Sequence, residues 1–349
     1  MSQFHKLTIK EVIKETKDAV SLLFDIPNTL QSDFSFKAGQ YITIKKEING
    51  QEVRRAYSLC SSPKSGTVKV AVKAVEDGTF SIYANNKLKV GDTVEVATPE
   101  GKFIIEPTAN KNYLAFAAGS GITPVIAMVK AVLESDTKAT FTLVYGNKSV
   151  ADTIFYKELN TLNDQYPDQF KLHYIFSREN IEGTVFGRID EEHVNYFIKN
   201  IYKDIAFDTA FLCVPEEMIN IASETLKKNN FDAANILFEL FTASSIEEAS
   251  SIDVKDGQSE IKVVIDEEET TFTMKQDDTI LAASLRNKLD PPYSCQGGIC
   301  SSCIAKVTEG KAVMSKNSIL TDEELAEGII LTCIAHPTTP TITVDYDDA

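Results

Sequence analysis

Cys295-Gln-Gly-Gly-Ile-Cys300-Ser-Ser-Cys303, answered by Cys333 after 29 intervening residues, is the stretch on which the reading of this chain turns. The spacing, C-x4-C-x2-C with a distant fourth cysteine, suits four thiolates holding a 2Fe-2S cluster. Gly297 and Gly298 lie between the first two cysteines and let backbone N–H groups turn toward an anionic cluster, in φ regions that bulkier residues resist. Zinc is the competing reading, but structural zinc sites usually pair their ligands as two C-x-x-C knuckles, and here only Cys300 and Cys303 form one. None of the four histidines, His5, His173, His193 and His336, falls at a ligand position, which argues against a Rieske centre. The expected metal ligands are therefore Cys295, Cys300, Cys303 and Cys333.

A chain of 349 residues exceeds what one core normally serves, so two or three domains are expected. Its 43% hydrophobic and 25% charged residues are those of an ordinary globular protein. The net charge of −16 argues against nucleic acid or an anionic membrane as a partner, because phosphate binding needs a basic patch. The N-terminal residues Met1 to Lys10 hold no apolar run of signal-peptide length, and no window approaches 18 apolar residues, so no membrane insertion is expected. The expected location is cytoplasmic. Six cysteines fit a reducing compartment; beyond the four above, Cys60 and Cys213 read as small buried residues.

Residues 1–108 alternate like strands, for example Lys6-Leu-Thr-Ile-Lys, Val20-Ser-Leu-Leu-Phe, Tyr41-Ile-Thr-Ile-Lys, Thr67-Val-Lys-Val-Ala-Val-Lys and Thr93-Val-Glu-Val-Ala. Turn pairs such as Asn49-Gly50, Ser65-Gly66 and Gly91-Asp92 punctuate them, which predicts an antiparallel β-barrel. A short helix opens at Gly78-Thr79-Phe80-Ser81 and presents free N–H groups and a positive dipole end to a phosphate. Between strands lies Arg55-Ala56-Tyr57-Ser58. Here the chain resembles the ferredoxin-NADP reductase superfamily, whose R-x-Y-S motif binds flavin. The resemblance implies that Arg55 pairs with a flavin phosphate, that Tyr57 lies against the isoalloxazine with Ala56 beside it, and that Ser58 hydrogen-bonds near the reactive N5. Those residue types suit these tasks: Arg has a fork for phosphate, Tyr a flat amphipathic ring, and Ser a small hydroxyl that leaves the ring edge open. In FAD-binding relatives Gly78 and Ser81 meet the pyrophosphate that FMN lacks, so FAD is expected, with FMN the alternative.

Residues 109–243 change period. Apolar runs at Tyr113-Leu-Ala-Phe-Ala, Ala139 to Tyr145, Lys171 to Phe176, Thr209 to Cys213 and Ile236 to Leu240 alternate with helical stretches such as Val125 to Leu133 and Met218 to Asn229. This predicts an α/β domain with a parallel sheet and its ligand at the C-terminal strand ends. Ala118-Gly119-Ser120-Gly121-Ile122-Thr123-Pro124 follows the first strand and matches the superfamily's G-x-G-x-T-P, in which Gly119 and Gly121 admit a pyrophosphate and Thr123 faces the nicotinamide; Pro124 suits a first helical turn. Ser177-Arg178 ends the third strand, where the adenosine ribose is expected, and a cation there suits a 2′-phosphate. NADPH is the expected coenzyme; Glu179 directly after keeps NADH open. Cys213-Val-Pro-Glu-Glu-Met occupies the place of the superfamily's C-G-P-x-x-M segment, with Val214 in place of Gly. Cys213 is expected near the hydride path as a positioning group. Phe238-Glu-Leu-Phe241 resembles the E-x-F ending of relatives, with Phe241 a candidate flavin cover.

Residues 244–258, rich in Ser and acid, read as a flexible linker. Beyond it, 259–349 resembles the plant-type ferredoxin fold, an α+β β-grasp: a hairpin at Ile261 and Thr270, a helix opened by Thr279, the cysteine loop, and a helix near Thr321. This module carries about −9 by residue count, and Asp345, Asp347 and Asp348 are candidates for a docking face. The order, reductase then ferredoxin, resembles the reductase subunits of phenylacetyl-CoA epoxidases and, more broadly, of multicomponent hydroxylases and desaturases. The resemblance implies electron flow from NAD(P)H to FAD to the 2Fe-2S cluster to a terminal oxygenase, or, alternatively, to a desaturase or a small electron-carrier protein. A redox-sensing module is the remaining alternative, disfavoured because a sensor needs no hydride donor.

Overall fold

The computed structural model describes residues 3–135, 138–241 and 257–349. Apart from Gly257 and Gln258, the linker expected at 244–258 lies outside them. The chain divides into two compact units, the first Phe4–Phe241 and the second containing 257–349.

The first unit begins with strands β1 (Phe4–Thr16), β2 (Ala19–Asp25), β3 (Tyr41–Ile48), β4 (Gln51–Ser58) and β5 (Val68–Lys73), then helix α1 (Thr79–Asn86) and strand β6 (Thr93–Ala97). They form an antiparallel sheet in the order β4-β3-β6-β1-β2-β5. Its two ends approach one another: Leu59 bridges Val70, and the Cys60 amide donates to the Lys69 carbonyl at 2.9 Å. The inward residues Leu7, Ile9, Leu22, Ile42, Ile44, Val70 and Val96 form the core. Asn49 and Gly50 both have positive φ, 55° and 76°, and make the tight turn that returns β4 along β3 in the register Tyr41 opposite Ser58. The R-x-Y-S residues, expected between strands, thus occupy the end of a strand. The hairpin turn carries β4 straight into them.

Next come β7 (Asn112–Ala118), α2 (Ile122–Leu133), β8 (Thr140–Asn147), α3 (Tyr156–Gln165), β9 (Phe170–Phe176), β10 (Val185–Phe186), α4 (Glu191–Asn195), β11 (Thr209–Cys213), α5 (Glu216–Lys228) and β12 (Ile236–Phe238). The parallel sheet has the order β10-β9-β8-β7-β11-β12. Its strand order reverses between β7 and β11, which places a crevice at their C-terminal ends. Helix α2 is almost wholly buried, and its Ile122, Val125, Ile126 and Val129 share one core cluster with Ala38, Cys60, Ala71 and Phe103 of the barrel.

The second unit contains β13 (Gln258–Ile265), β14 (Glu268–Lys275), α6 (Ile280–Arg286), β15 (Ile304–Glu309), β16 (Ala312–Met314), α7 (Asp322–Ala326), β17 (Ile329–Leu331), β18 (Ala335–Pro337) and β19 (Thr341–Asp345). The mixed sheet β14-β13-β19-β15-β17, with β13 and β19 parallel, packs Ile261, Val263, Ile342 and Val344 against Ile280 and Ala283 of α6. This is the β-grasp arrangement. The three C-terminal acids are engaged internally: Asp347 accepts from the Asp266 and Glu267 amides at 2.9 and 2.8 Å, Asp348 pairs with Lys306 at 2.8 Å, and Asp345 accepts from the Asp347 amide at 2.8 Å. Asp347 thus fastens the tail to the β13–β14 turn and Asp348 to β15. Among the described residues no helix is long and apolar enough to cross a membrane.

Thr279 caps α6 by accepting from the Ala282 amide at 3.2 Å. Thr279→Ala is expected to cost about 1 kcal/mol and to speed hydrogen exchange of that amide roughly fivefold; unchanged exchange would show that packing alone holds the turn.

Candidate functional site

The residues expected on the flavin side converge on the junction of β4 and α1. Tyr57, half-buried, lies 5.5 Å from Phe80 of α1 at an interplanar angle of 40°. Gly78 caps α1, and a Cβ there would stand 2.2 Å from the Ser81 hydroxyl and 2.7 Å from Val75, so the turn admits only glycine without displacement. Ser81 Oγ accepts from the Val75 amide at 3.3 Å, which leaves its proton to donate. Ala56 is half-buried. The two adjacent arginines diverge. Arg54 is buried and paired with Glu52 at 2.8 Å, whereas Arg55 is exposed and donates one Nη1 bond to the Arg54 carbonyl at 2.7 Å. An exposed guanidinium fork is the kind of group that can meet an anion.

The residues expected on the coenzyme side gather at the reversal point of the parallel sheet. Gly119 adopts the left-handed φ of +54° in the turn between β7 and α2. Gly121 is pressed against the end of β11, where a Cβ would meet the Cys213 carbonyl oxygen at 1.9 Å. Thr123 is 2% exposed and donates to the Ser120 carbonyl at 3.1 Å, and Pro124 is buried in the first turn of α2. Tyr145 of β8 donates to the Gly119 carbonyl at 2.8 Å and steadies the turn. Ser177 and Arg178 lie at the adjoining ends of β8 and β9, their amides donating to the Asn147 and Lys148 carbonyls at 3.0 and 2.9 Å; Arg178 is exposed. Glu179, which left the coenzyme open, turns its carboxylate to the Val150 amide at 2.8 Å. Val214 is buried. Phe241 is 39% exposed at the end of the first unit.

Two residues absent from the sequence-based set complete this region. Ser58 donates to a carboxylate oxygen of Glu239 at 3.2 Å, just past β12. Burial pushes the Glu239 carboxyl up to about 8, with the Ser58 hydrogen bond opposing. Burial, then the neighbouring Glu239, raises the Cys213 thiol well above its usual range. Cys213 is thus held as a neutral thiol beside a carboxyl near its ionisation point, which suits positioning rather than nucleophilic attack. Lys73, at the end of β5, brings Nζ within 3.4 Å of the position a Gly119 Cβ would take. Burial, then repulsion from Lys148, lowers its pKa, and an anion beside Gly119 would relieve both effects. An acid between Phe238 and Leu240, and a lysine closing an apolar strand, were the available signals in the sequence.

In the second unit the four cysteine thiols form one chain of contacts. The Cys300 thiol donates to Cys295 Sγ at 3.1 Å, and Cys333 bonds both Cys295 and Cys303. Those bonds, from Cys300 first and then Cys333, lower the Cys295 thiol, while Cys333 is raised by the protons it shares. The Gly297 amide points at Cys295 Sγ from 3.4 Å. Thr332, adjacent to Cys333, donates its amide and hydroxyl to the Cys303 carbonyl at 3.1 and 3.0 Å, tying the loop to the fourth cysteine. Gly298 has φ +70° and would strike Ile334 at 2.6 Å if it carried a Cβ. Next to Cys295 in the chain, the buried Ser294 hydroxyl has no hydrogen-bond partner among the described residues. Among the described residues no group of His, Cys, Asp or Glu side chains is arranged to hold a metal ion in these positions. Four neighbouring thiols with an amide directed at one of them are a donor set that fits a 2Fe-2S cluster.

Known proteins agree with this layout. Residues 6–105 match the oxidoreductase FAD-binding domain, 116–224 the oxidoreductase NAD-binding domain and 263–338 the 2Fe-2S iron-sulfur cluster binding domain. The chain is 38% identical to one of the subunits of the 1,2-phenylacetyl-CoA epoxidase of Escherichia coli (strain K12), covering 99% of both chains. It is 30% identical to the ferredoxin reductase component of 3-ketosteroid-9-alpha-monooxygenase of Rhodococcus rhodochrous, covering 97% of this chain and 96% of that one. The solved structure of phthalate dioxygenase reductase matches with a TM-score of 0.63 at 22% identity, covering 98% of both.

The raised Glu239 carboxyl fixes the sign of a pH effect. Between about 5 and about 8 the folded chain holds a proton that the unfolded chain has released, so stability falls as pH rises through this window. Glu239→Gln is expected to flatten that slope, measured as the urea midpoint of the first unit at successive pH values. Parallel profiles would show an ordinary carboxyl.

Proposed function

Because the chain belongs to the family of oxygenase reductase components that includes its relative in the Escherichia coli 1,2-phenylacetyl-CoA epoxidase, we propose that it carries electrons from NADPH through FAD and a 2Fe-2S cluster to an oxygenase of the phenylacetyl-CoA epoxidase type. Bound FAD supplies the conversion of a two-electron hydride into single electrons, the only form a 2Fe-2S cluster accepts. The modules of this reading are residues 1–108, 109–243 and 259–349.

The observation that carries the reading is the convergence of Ser58, Glu239 and Cys213 where the R-x-Y-S strand meets the reversal point of the parallel sheet. Arg55 and the α1 turn at Gly78 and Ser81 hold the flavin phosphates, and Tyr57 with Ala56 lines the ring. Gly119, Gly121, Thr123 and Pro124 let the coenzyme approach, and Lys73 balances its diphosphate. Ser58, bonded to Glu239, would present its hydroxyl to a flavin held there. A carboxyl that titrates near 8 holds a proton at neutral pH and can take or return one through the serine hydroxyl. Cys213 fills the space beside the nicotinamide path without presenting charge. Ser177 and Arg178 receive the adenosine end; with Glu179 engaged by Val150, Arg178 meets a 2′-phosphate without a competing carboxylate at its side. Cys295, Cys300, Cys303 and Cys333 hold the cluster, from which the oxygenase draws its electrons. Identity of 38% along the whole chain supports the epoxidase type over the ketosteroid type.

Anaerobic NADPH is expected to bleach both flavin and cluster absorbance in the native protein, and flavin absorbance alone in Cys300→Ser. An intact cluster signal in that variant would contradict the ligand set, and no bleaching of a fully loaded native protein would contradict the function. Arg178→Ala is expected to raise KM for NADPH about tenfold and for NADH less than about threefold. Equal effects would point to NADH.

A further inference from the structure

The barrel and the parallel sheet of the first unit meet across an apolar surface, and apolar contact is non-directional, so it resists separation better than sliding. Charged side chains bridge it at several places, Lys17 to Asp152 at 3.5 Å among them, and of these Lys130 is the buried one. Lys130 of α2 is 9% exposed; its ammonium donates to the Cys60 carbonyl at 2.9 Å and pairs with Glu158 of α3 at 2.6 Å. Glu158 also reaches Lys69 of β5 at 3.8 Å. Cys60 lies two residues beyond Ser58, in the segment whose amide bonds Lys69 to close the barrel. Lys130 lies seven residues beyond Thr123, two helical turns along the same face of the helix that the Gly-Ser-Gly turn opens. Further along, the Ser62 hydroxyl bonds the Glu134 carboxylate and Lys64 donates to the Glu134 carbonyl at 2.6 Å.

The strand that presents Ser58 is thereby pinned at Cys60 to the rod that presents Thr123. We propose that Lys130 is a positioning residue for hydride transfer: its buried bond to the Cys60 carbonyl fixes the register of the flavin strand against the coenzyme helix. This rests on the reading above, in which those two elements carry the flavin and the nicotinamide. The bond is directional and buried, and lies nearer to Ser58 in the chain than the bonds of Ser62 and Lys64 to Glu134. Without the ammonium, the buried Cys60 carbonyl loses its donor and the 59–62 segment shifts to find another, while Glu158, 36% exposed, keeps solvent and Lys69. The expected damage is therefore to alignment more than to folding. Hydride transfer is steep in distance, and a displacement of about 1 Å can cost on the order of 100-fold in rate.

The test uses the full-length protein loaded with FAD and cluster, mixed anaerobically with increasing NADPH, and follows flavin bleaching by stopped flow. Lys130→Met keeps the aliphatic length and removes the charge. Its limiting reduction rate is expected to fall about tenfold or more, with FAD content retained and the apparent Kd for NADPH changed less than about threefold, and Lys130→Arg is expected to recover most of the rate. An unchanged limiting rate in Lys130→Met overturns the proposal, as does a loss confined to Kd, or no recovery in Lys130→Arg. If Lys130→Met fails to retain FAD, Glu158→Gln replaces it, with an expected drop in limiting rate of about threefold; a native rate there overturns the proposal. Native protein that NADPH does not reduce overturns the functional reading itself, which distinguishes the two failures.

Discussion

A serine hydroxyl on one sheet bonded to a carboxyl on another is the constraint around which the first unit is built. Ser58 ends a strand of the barrel and Glu239 follows the last strand of the parallel sheet, so their 3.2 Å bond exists only when both sheets are complete and correctly set against each other. Each approach to it is made possible by a missing side chain. Gly121 lets the turn after β7 lie against Cys213, and Gly78 lets α1 begin over Ser81. The burial that results raises Glu239 to about 8, close enough to neutral pH for a proton to be held or released without a large penalty either way.

The charges of the first unit fall into two kinds. Lys130, Glu158 and Arg54 are paired and fix geometry. Lys73 and Arg55 are only partly compensated: burial and then repulsion from Lys148 lower the Lys73 pKa, and Arg55 is exposed with one bond to the Arg54 carbonyl. The second unit follows the same logic with sulfur. Thr332 and the cysteine-loop backbone are mutually bonded, while the four thiols lie together with the Gly297 amide directed at one of them.

Much of this was legible in the chain. Period-two runs with Asn49-Gly50 and similar turns marked the barrel; the alternation of apolar runs with helical stretches marked the parallel sheet; Thr279 marked a helix start with the expected cap, and the helix expected near Thr321 begins there. These signals are local, because turn chemistry, capping and side-chain period act over a few residues. What escaped was non-local. Glu239 stood in the E-x-F ending without a role and Lys73 in no motif, since a carboxyl raised by burial and a lysine repelled by Lys148 are defined by neighbours distant in sequence. R-x-Y-S singled out Arg55, but that Arg54 beside it is buried and paired with Glu52 depends on which face of β4 turns inward.

The sequence by itself determined the chemistry on offer: four cysteines at a spacing that suits one cluster, an R-x-Y-S, a glycine turn between strand and helix, and the order of three modules. These depend on residue type and spacing, which covalent structure sets. Only the tertiary structure decided which of those groups act together. It joined Ser58 to Glu239 across 181 residues and Lys130 to Cys60 across 70, and it consumed the C-terminal acids in holding the tail. Such pairings follow from how sheets and helices pack, and packing is settled by shape and burial over the whole unit, to which no short stretch of sequence has access.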